Sequence, residues 1–303
     1  MVKEKEKKIM DLLIQVLIAG ITTGSIYSLI AIGVVLIFKS SGVINFAQGS
    51  MVMVGAFITY ALVVQFKVPI FISLLLAFLI SGVMGMIIER SVLRYLTGAS
   101  LISIIMVTLG ISYVMDGGAL ATWGSSNFTF PRLFPSFSIQ LGGIKVSSIY
   151  LWSFLTSMVL LVIFLLFFKY SKMGLSMRAA ADNQKVAVVL GISSKKVLSL
   201  TWVITSAVAT AGGILLASIS ALHVNLSYIG LIVFPVVILG GLDSIAGAAV
   251  GGLIVGVLEA ISGVYIAPLL GGAFQQVAAF AFLLIILLIK PYGLFGTKEI
   301  ERL

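Results

Sequence analysis

The sequence predicts an all-α integral membrane protein, a polytopic bundle of eight or nine transmembrane helices with one short helix on its cytoplasmic face. Three observations carry this expectation. Of 303 residues, 60% are hydrophobic and only 10% are charged, with a mean hydropathy of +1.23, so too little polar surface exists to coat a water-soluble globule. Apolar runs near or above the ~20 residues needed to cross a bilayer recur along the chain, whereas the strands of a membrane barrel alternate apolar and polar positions. Lysine and arginine collect in alternate connections, the pattern of a chain that crosses repeatedly. Residues 1–303 therefore read as a single transmembrane domain.

The N-terminal "MVKEKEKKIMDLL" lacks a short apolar core followed by a small-residue cleavage site, and it reads as a retained tail. Apolar spans follow near 12–38, 43–65, 69–88 and 101–123. The stretch 124–148, "GSSNFTFPRLFPSFSIQLGGIKVSS", has two prolines and few charges and reads as the main external loop. A span near 149–168 leads into the polar segment 169–197, and further spans lie near 198–221, 229–241, 245–265 and 273–289. The segment 229–241 is short and runs into "LGGLDSIAG", so it is either a complete short helix or a broken one buried within protein. That ambiguity gives the count of eight or nine.

Placing 169–197 in the cytoplasm puts Lys39, Arg90, Arg94, Lys169, Lys172, Arg178, Lys185, Lys195, Lys196, Lys290, Lys298 and Arg302 inside, with Lys67, Arg132 and Lys145 outside. The same alternation sends the N-terminus outside, against the inward bias of its four lysines. Either 12–38 is broken, or one later segment does not cross.

Several chemistries are excluded. With no cysteine there is no disulfide, thiolate site or cysteine nucleophile. The single histidine, His223, cannot supply a two-histidine zinc motif, and without G-K-S or G-K-T there is no phosphate-binding loop. No recognisable catalytic cluster appears, so the chain reads as no enzyme, with no cofactor or metal of its own. The net charge of +9 is accounted for by loop residues on the inner face rather than by nucleic acid.

Within the spans, "GITTG" (Gly20, Gly24), "GAAVG" (Gly247, Gly251) and "GLIVG" (Gly252, Gly256) repeat the small-xxx-small spacing that lets helix backbones approach in lipid. Polar residues in a bilayer are candidates for a pathway. Asn45 and Gln48, with Phe46 and Gly49 beside them, sit at a helix start whose backbone N–H groups favour a carboxylate, or serve there in capping or interhelical hydrogen bonding. Glu259 follows the glycine-rich run and reads equally as a pathway residue or a structural hydrogen-bond partner. Asp116 lies towards the outer end of its helix, Glu89 and Arg90 at a helix end near the interface, and His223 in an outer turn.

The polar island "SKMGLSMRAAADNQKVAVVLGISSKK", 171–196, has the grammar of a short helix, with Ser176 able to cap it and Gly191 able to end it. Arg178, Asp182 and Lys185 share a face by i, i+4, i+7 spacing, and Ala179, Ala180, Ala181, Val186, Ala187 and Val189 give small apolar bulk elsewhere. Such a helix inserts into a groove on another protein or rests on lipid headgroups.

"MRAAADNQKVAVVLGI" at 177–192 resembles the ATPase-docking loop of the branched-chain amino acid permease family of ATP-binding cassette importers. "GVINFAQGSMVMVGAF" at 42–57, "VILGGLDSIAGAAVGGLIVGVLE" at 237–259 and "KPYGLFG" at 290–296 are similar, in order, to further segments of that family. The chain departs from the pattern at Ala181-Asp182 or Asp182-Asn183, depending on the alignment, where members commonly carry Glu-Asp or Asp-Asp, and at Asp243, where glycine or a small residue is usual. The resemblance implies a permease subunit of an inner-membrane importer in a bacterial or archaeal cell, moving branched-chain or related amino acids. It implies a second permease, homo- or heterodimeric, an external substrate-binding protein and two ATPase subunits that hold ATP and Mg. Arg178, Ala180, Ala181, Asp182 and Gly191 would then belong to a coupling helix. The alternatives are an ion-coupled secondary transporter, which needs a midplane acid or base relay, and a passive channel for a small neutral solute such as urea.

Overall fold

A computed structural model describes residues 2–96, 99–141, 144–182, 184–272 and 274–296. It is helical almost throughout. The helices are α1 (Val2–Ser41), α2 (Gln48–Tyr60), α3 (Ile70–Ser91), α4 (Leu101–Trp123), α5 (Ser148–Tyr170), α6 (Lys172–Asp182), α7 (Gln184–Val189), α8 (Ser194–Ile219), α9 (Ile229–Gly240), α10 (Ile245–Ile261), α11 (Ala267–Leu270) and α12 (Phe274–Ile289). Among the described residues, seven helices are long and apolar enough to cross a membrane, and two shorter apolar ones, Val224–Gly240 and Val277–Ile289, accompany them.

The bundle is built around α1, whose most apolar window is 83% buried, against 6% for α4. Gly20 and Gly24 do not break α1. They face Val257 and Leu253 of α10, while Gly252 and Gly256 face Ser28 and Gly24 in return, so the two backbones nearly touch. Gly247 and Gly251 turn the other side of α10 towards Gly240 and Val236 of α9. Ser28 seals the first crossing by donating to the Ala249 carbonyl at 2.6 Å. Large apolar side chains such as Phe71, Leu75, Tyr113, Val114, Val159 and Leu284 point outwards from α3, α4, α5 and α12, where acyl chains solvate them as well as protein would.

Direction along the bundle follows from cross-helix bonds. Thr22 donates to the Tyr150 carbonyl at 3.4 Å and Ser25 pairs with Ser157 at 2.5 Å, so α1 and α5 run parallel. The N-terminal half of α1 therefore shares a face with the 124–148 segment, and the C-terminal ends of α1 and α5 share the opposite face with α6 and α7. Of the two ways out of the charge conflict, a broken first span is not what the structure shows: α1 is one continuous helix.

Two local features depart from the expected pattern. The 124–148 segment contains a small antiparallel hairpin, β1 (Ser138–Leu141) with β2 (Ile144–Ser147), and Phe128 bridges to Leu222. The segment 229–241 is a short helix that carries Pro235 and ends at Gly241, φ +104°. Its last carbonyls are closed from the C-terminal tail: Leu294 N–H donates to Leu239 O at 2.7 Å and Phe295 N–H to Gly240 O at 3.1 Å. Ser244 then caps α10 through the Gly247 N–H at 2.9 Å.

Candidate functional site

The polar island is helical on both sides of Asn183, which lies outside the described residues, as α6 and α7. α6 begins at Lys172, ahead of the expected cap at Ser176: Ser171 Oγ accepts the Gly174 N–H at 2.8 Å, the N3 position of a helix starting at Lys172, while Ser176 lies inside and donates back to Lys172 O at 3.0 Å. Gly191, φ +84°, does close α7. Its N–H bonds Val188 O at 3.0 Å and the Ile192 N–H bonds Ala187 O at 2.9 Å, the two bonds of a Schellman end. The side chains of Asp182 and Lys185 lie outside the described residues, so the expected shared face with Arg178 has no described geometry.

α6 is anchored rather than free. Arg178 Nη1 donates to the Lys169 carbonyl at the end of α5 at 3.0 Å, and its guanidinium stands 5.8 Å from the centre of the Phe168 ring. Met177 and Ala180 are buried against the bundle, as is Ala187. Ala180 packs inwards, where α6 meets α1, α5 and α8. Ala181 is half-buried. The outward apolar surface is instead Val188, Val189 and Leu190, exposed by 54%, 86% and 74%.

The segment before α2 is interior. Asn45 Oδ1 accepts the Ala47 N–H at 3.0 Å and Asn45 Nδ2 donates to Gln48 Oε1 at 3.2 Å; both residues are buried. Gln48 Nε2 is buried without a hydrogen-bond partner, facing Gly33 across the α1 interface. Phe46 packs on Phe234 at 4.6 Å, and Gly49 abuts the backbone of Ser227 and Gly230. These four side by side connect α2 to α1 and α9.

Glu259 lies elsewhere. Tyr27 Oη donates to Glu259 Oε2 at 2.7 Å, and both line a cavity of about 570 Å3 together with Gln15, Lys145, Tyr150 and Gln275. The cavity belongs to the face shared by the N-terminal half of α1 and the β-hairpin. Sequence reasoning singled out Glu259 but not Tyr27 or Lys145 as site residues; the phenol was the available signal, a polar tip within a membrane span.

Glu89, at the end of α3, is fully buried against protein. Arg94 holds it bidentately, Nε to Oε1 at 3.1 Å and Nη2 to Oε2 at 2.9 Å, which offsets the cost of burying the carboxylate. Asp116 is half-buried and accepts from Ser227 Oγ at 3.2 Å. His223 is half-buried, with Nδ1 shielded and unbonded. Among the described residues no group of three His, Cys, Asp or Glu side chains is placed to hold a metal.

Comparison with known proteins fits this geometry. Residues 16–289 match the model of the family described as the branched-chain amino acid transport system permease component. The chain is 32% identical over 310 residues to the high-affinity branched-chain amino acid transport system permease protein LivH of Salmonella typhimurium, covering 95% of this chain and 97% of that protein. It is 29% identical over 305 residues to BraD of Pseudomonas aeruginosa, with the same coverage, and 29% identical over 302 residues to a probable LivH of Methanocaldococcus jannaschii, covering 95% of both. Among solved structures, PsaBC from Streptococcus pneumoniae in complex with Fab aligns over 96% of this chain and 97% of that chain, with a TM-score of 0.52 at 15% identity, a likeness of fold. The protein is a multi-pass protein of the cell membrane, and it belongs to the permease components of branched-chain amino acid ATP-binding cassette transport systems.

Proposed function

We propose that this chain is one of two permease subunits of an ATP-driven importer that carries branched-chain amino acids inwards across the inner membrane, with ATP and Mg held by two separate ATPase subunits. One observation carries the reading: a rigidly anchored helix pair, α6–α7, presents exposed Val188, Val189 and Leu190 beyond the end of α5. Apolar side chains at a water-facing surface are a recognition feature for a groove on another protein. The absence of a phosphate-binding loop in the sequence agrees with ATP hydrolysis on another chain.

The mechanics follow from the anchoring. A partner gripping α7 pushes α6, and the Arg178 bond to Lys169 O together with the buried Met177 and Ala180 passes the displacement to α5, α8 and the end of α1. Packed helices respond to such a push by discrete rotations rather than by continuous bending. An external binding protein supplies selected ligand, and the names of the relatives, high-affinity branched-chain amino acid systems, support that substrate class. The test is reconstitution of the chain with its companion subunits in vesicles. Leucine uptake is expected to require ATP and the binding protein, and uptake of comparable rate without ATP would overturn the reading in favour of a passive or ion-coupled pathway.

A further inference from the structure

The cavity floored by Tyr27 and Glu259 has no part in ATPase docking, and its chemistry is specific. Its volume of about 570 Å3 falls in the range of small-ligand sites, roughly 300–1,000 Å3. α1 lines it from Leu12 to Tyr27, and α10 forms another wall from Gly256 to Val264, so along α1 it spans roughly 22 Å of helix. Its lining carries one acid, Glu259, half-buried, and one base, Lys145, exposed on β2. Gln15, Thr23, Tyr150 and Gln275 supply further hydrogen-bonding groups between them.

A carboxylate within a spanning segment is costly unless it meets a cation or several donors. Tyr27 gives Glu259 one hydrogen bond and Gln275 stands by to give another, while a carboxylate offers about four acceptor sites. The remaining capacity suits a group that brings several N–H donors and a positive charge at once. A metal ion is a poor fit, since a single carboxylate faces the cavity and no metal-holding cluster occurs among the described residues. We propose that this cavity is a binding site for a zwitterion carrying a primary ammonium group, the ammonium seated on Glu259 and the anionic oxygens turned towards Lys145. Two sources share this chemistry: the headgroup of an ethanolamine phospholipid and a free amino acid.

The experiment uses the full chain, purified with its transporter subunits, in nanodiscs of phosphatidylethanolamine or of phosphatidylcholine. Native mass spectrometry reads retained lipid, and titration calorimetry with L-leucine in the choline nanodiscs reads the other source. Selective retention of ethanolamine lipid assigns the site to a headgroup, and leucine binding assigns it to a free amino acid. Either signal should fall by about tenfold or more in Glu259→Gln, the scale of a lost charge-assisted hydrogen bond, and should persist in Tyr27→Phe, which keeps the carboxylate. Val264→Trp, which fills the cavity and leaves Glu259 in place, should abolish it, and covers the case in which Glu259→Gln does not fold. Equal retention of both lipids with no leucine binding overturns the proposal, as does binding that survives Glu259→Gln or Val264→Trp. No transport measurement enters, so the outcome is independent of ATP coupling.

Discussion

Where Gly24 crosses α10, a Cβ would stand 2.7 Å from the carbonyl oxygen of Gly252 and 2.9 Å from the Cα of Leu253, closer than atoms of two packed helices approach. Backbone cannot swing aside as a side chain does, so any larger residue must separate α1 from α10. Gly24→Leu is therefore expected to cost about 3 kcal/mol or more, at the upper end of overpacking effects, seen as a lower unfolding temperature of the detergent-solubilised chain. Gly117→Ala, on α4, meets nothing within 4 Å and should leave that temperature unchanged. The small-xxx-small spacing made Gly20, Gly24, Gly252 and Gly256 visible in the sequence, because packing in lipid writes a local pattern. Partnerships across the fold write none. Glu259 stands out as an acid on an apolar helix, but its bond to Tyr27 spans 232 positions, and no spacing rule reaches that far. The pairing of Glu89 is hidden for a related reason: it depends on Arg94 folding back from the following turn.

The helix pair α6–α7 shows which part of an element's identity is local. Its C-terminal stop at Gly191 was legible, since glycine supplies the left-handed conformation a Schellman end requires. Its start was not, because "SKMGLS" offers two serines and only the geometry of the Gly174 N–H selects Ser171. Nor does an alanine-rich sequence say which face turns inwards. That choice falls to the groove between α1, α5 and α8, which takes Met177 and Ala180. The consequence separates two substitutions. Val189→Asp, at a side chain 86% exposed, should leave the chain inserted and folded yet lower ATPase co-purification and ATP-driven uptake by about tenfold, as for truncation of an interface anchor. Ala180→Trp should instead lower the yield of folded protein, because the indole has no space beneath α6. Equal ATPase association in wild type and Val189→Asp would remove α7 from the docking surface.

The order of the apolar segments was readable along the whole chain, and the structure places a helix in each of the nine, since hydrophobic length is imposed by the bilayer itself. Sidedness was only half readable, because the N-terminal lysines oppose the alternation of the loops. The parallel course of α1 and α5 gives the missing constraint: the N-terminus and the β-hairpin segment occupy one side. In this cysteine-free background, Lys7→Cys and Ser136→Cys should react with an impermeant maleimide from the same side of the membrane, and Ser193→Cys from the other; labelling of Lys7→Cys together with Ser193→Cys would contradict the arrangement. The hairpin at 138–147 escaped sequence reading because two four-residue strands are too short to show a period. The role of "KPYGLFG" escaped it too, because its bonds to α9 come from the far end of the chain. That last contact has a temporal meaning. A ribosome delivers α9 and α10 to the membrane before it makes Leu294 and Phe295, so the carbonyls of Leu239 and Gly240 wait for donors until the tail arrives. The turn joining these helices is thus completed only after the segment beyond α12 has been made, although the turn itself lies well before it in the sequence.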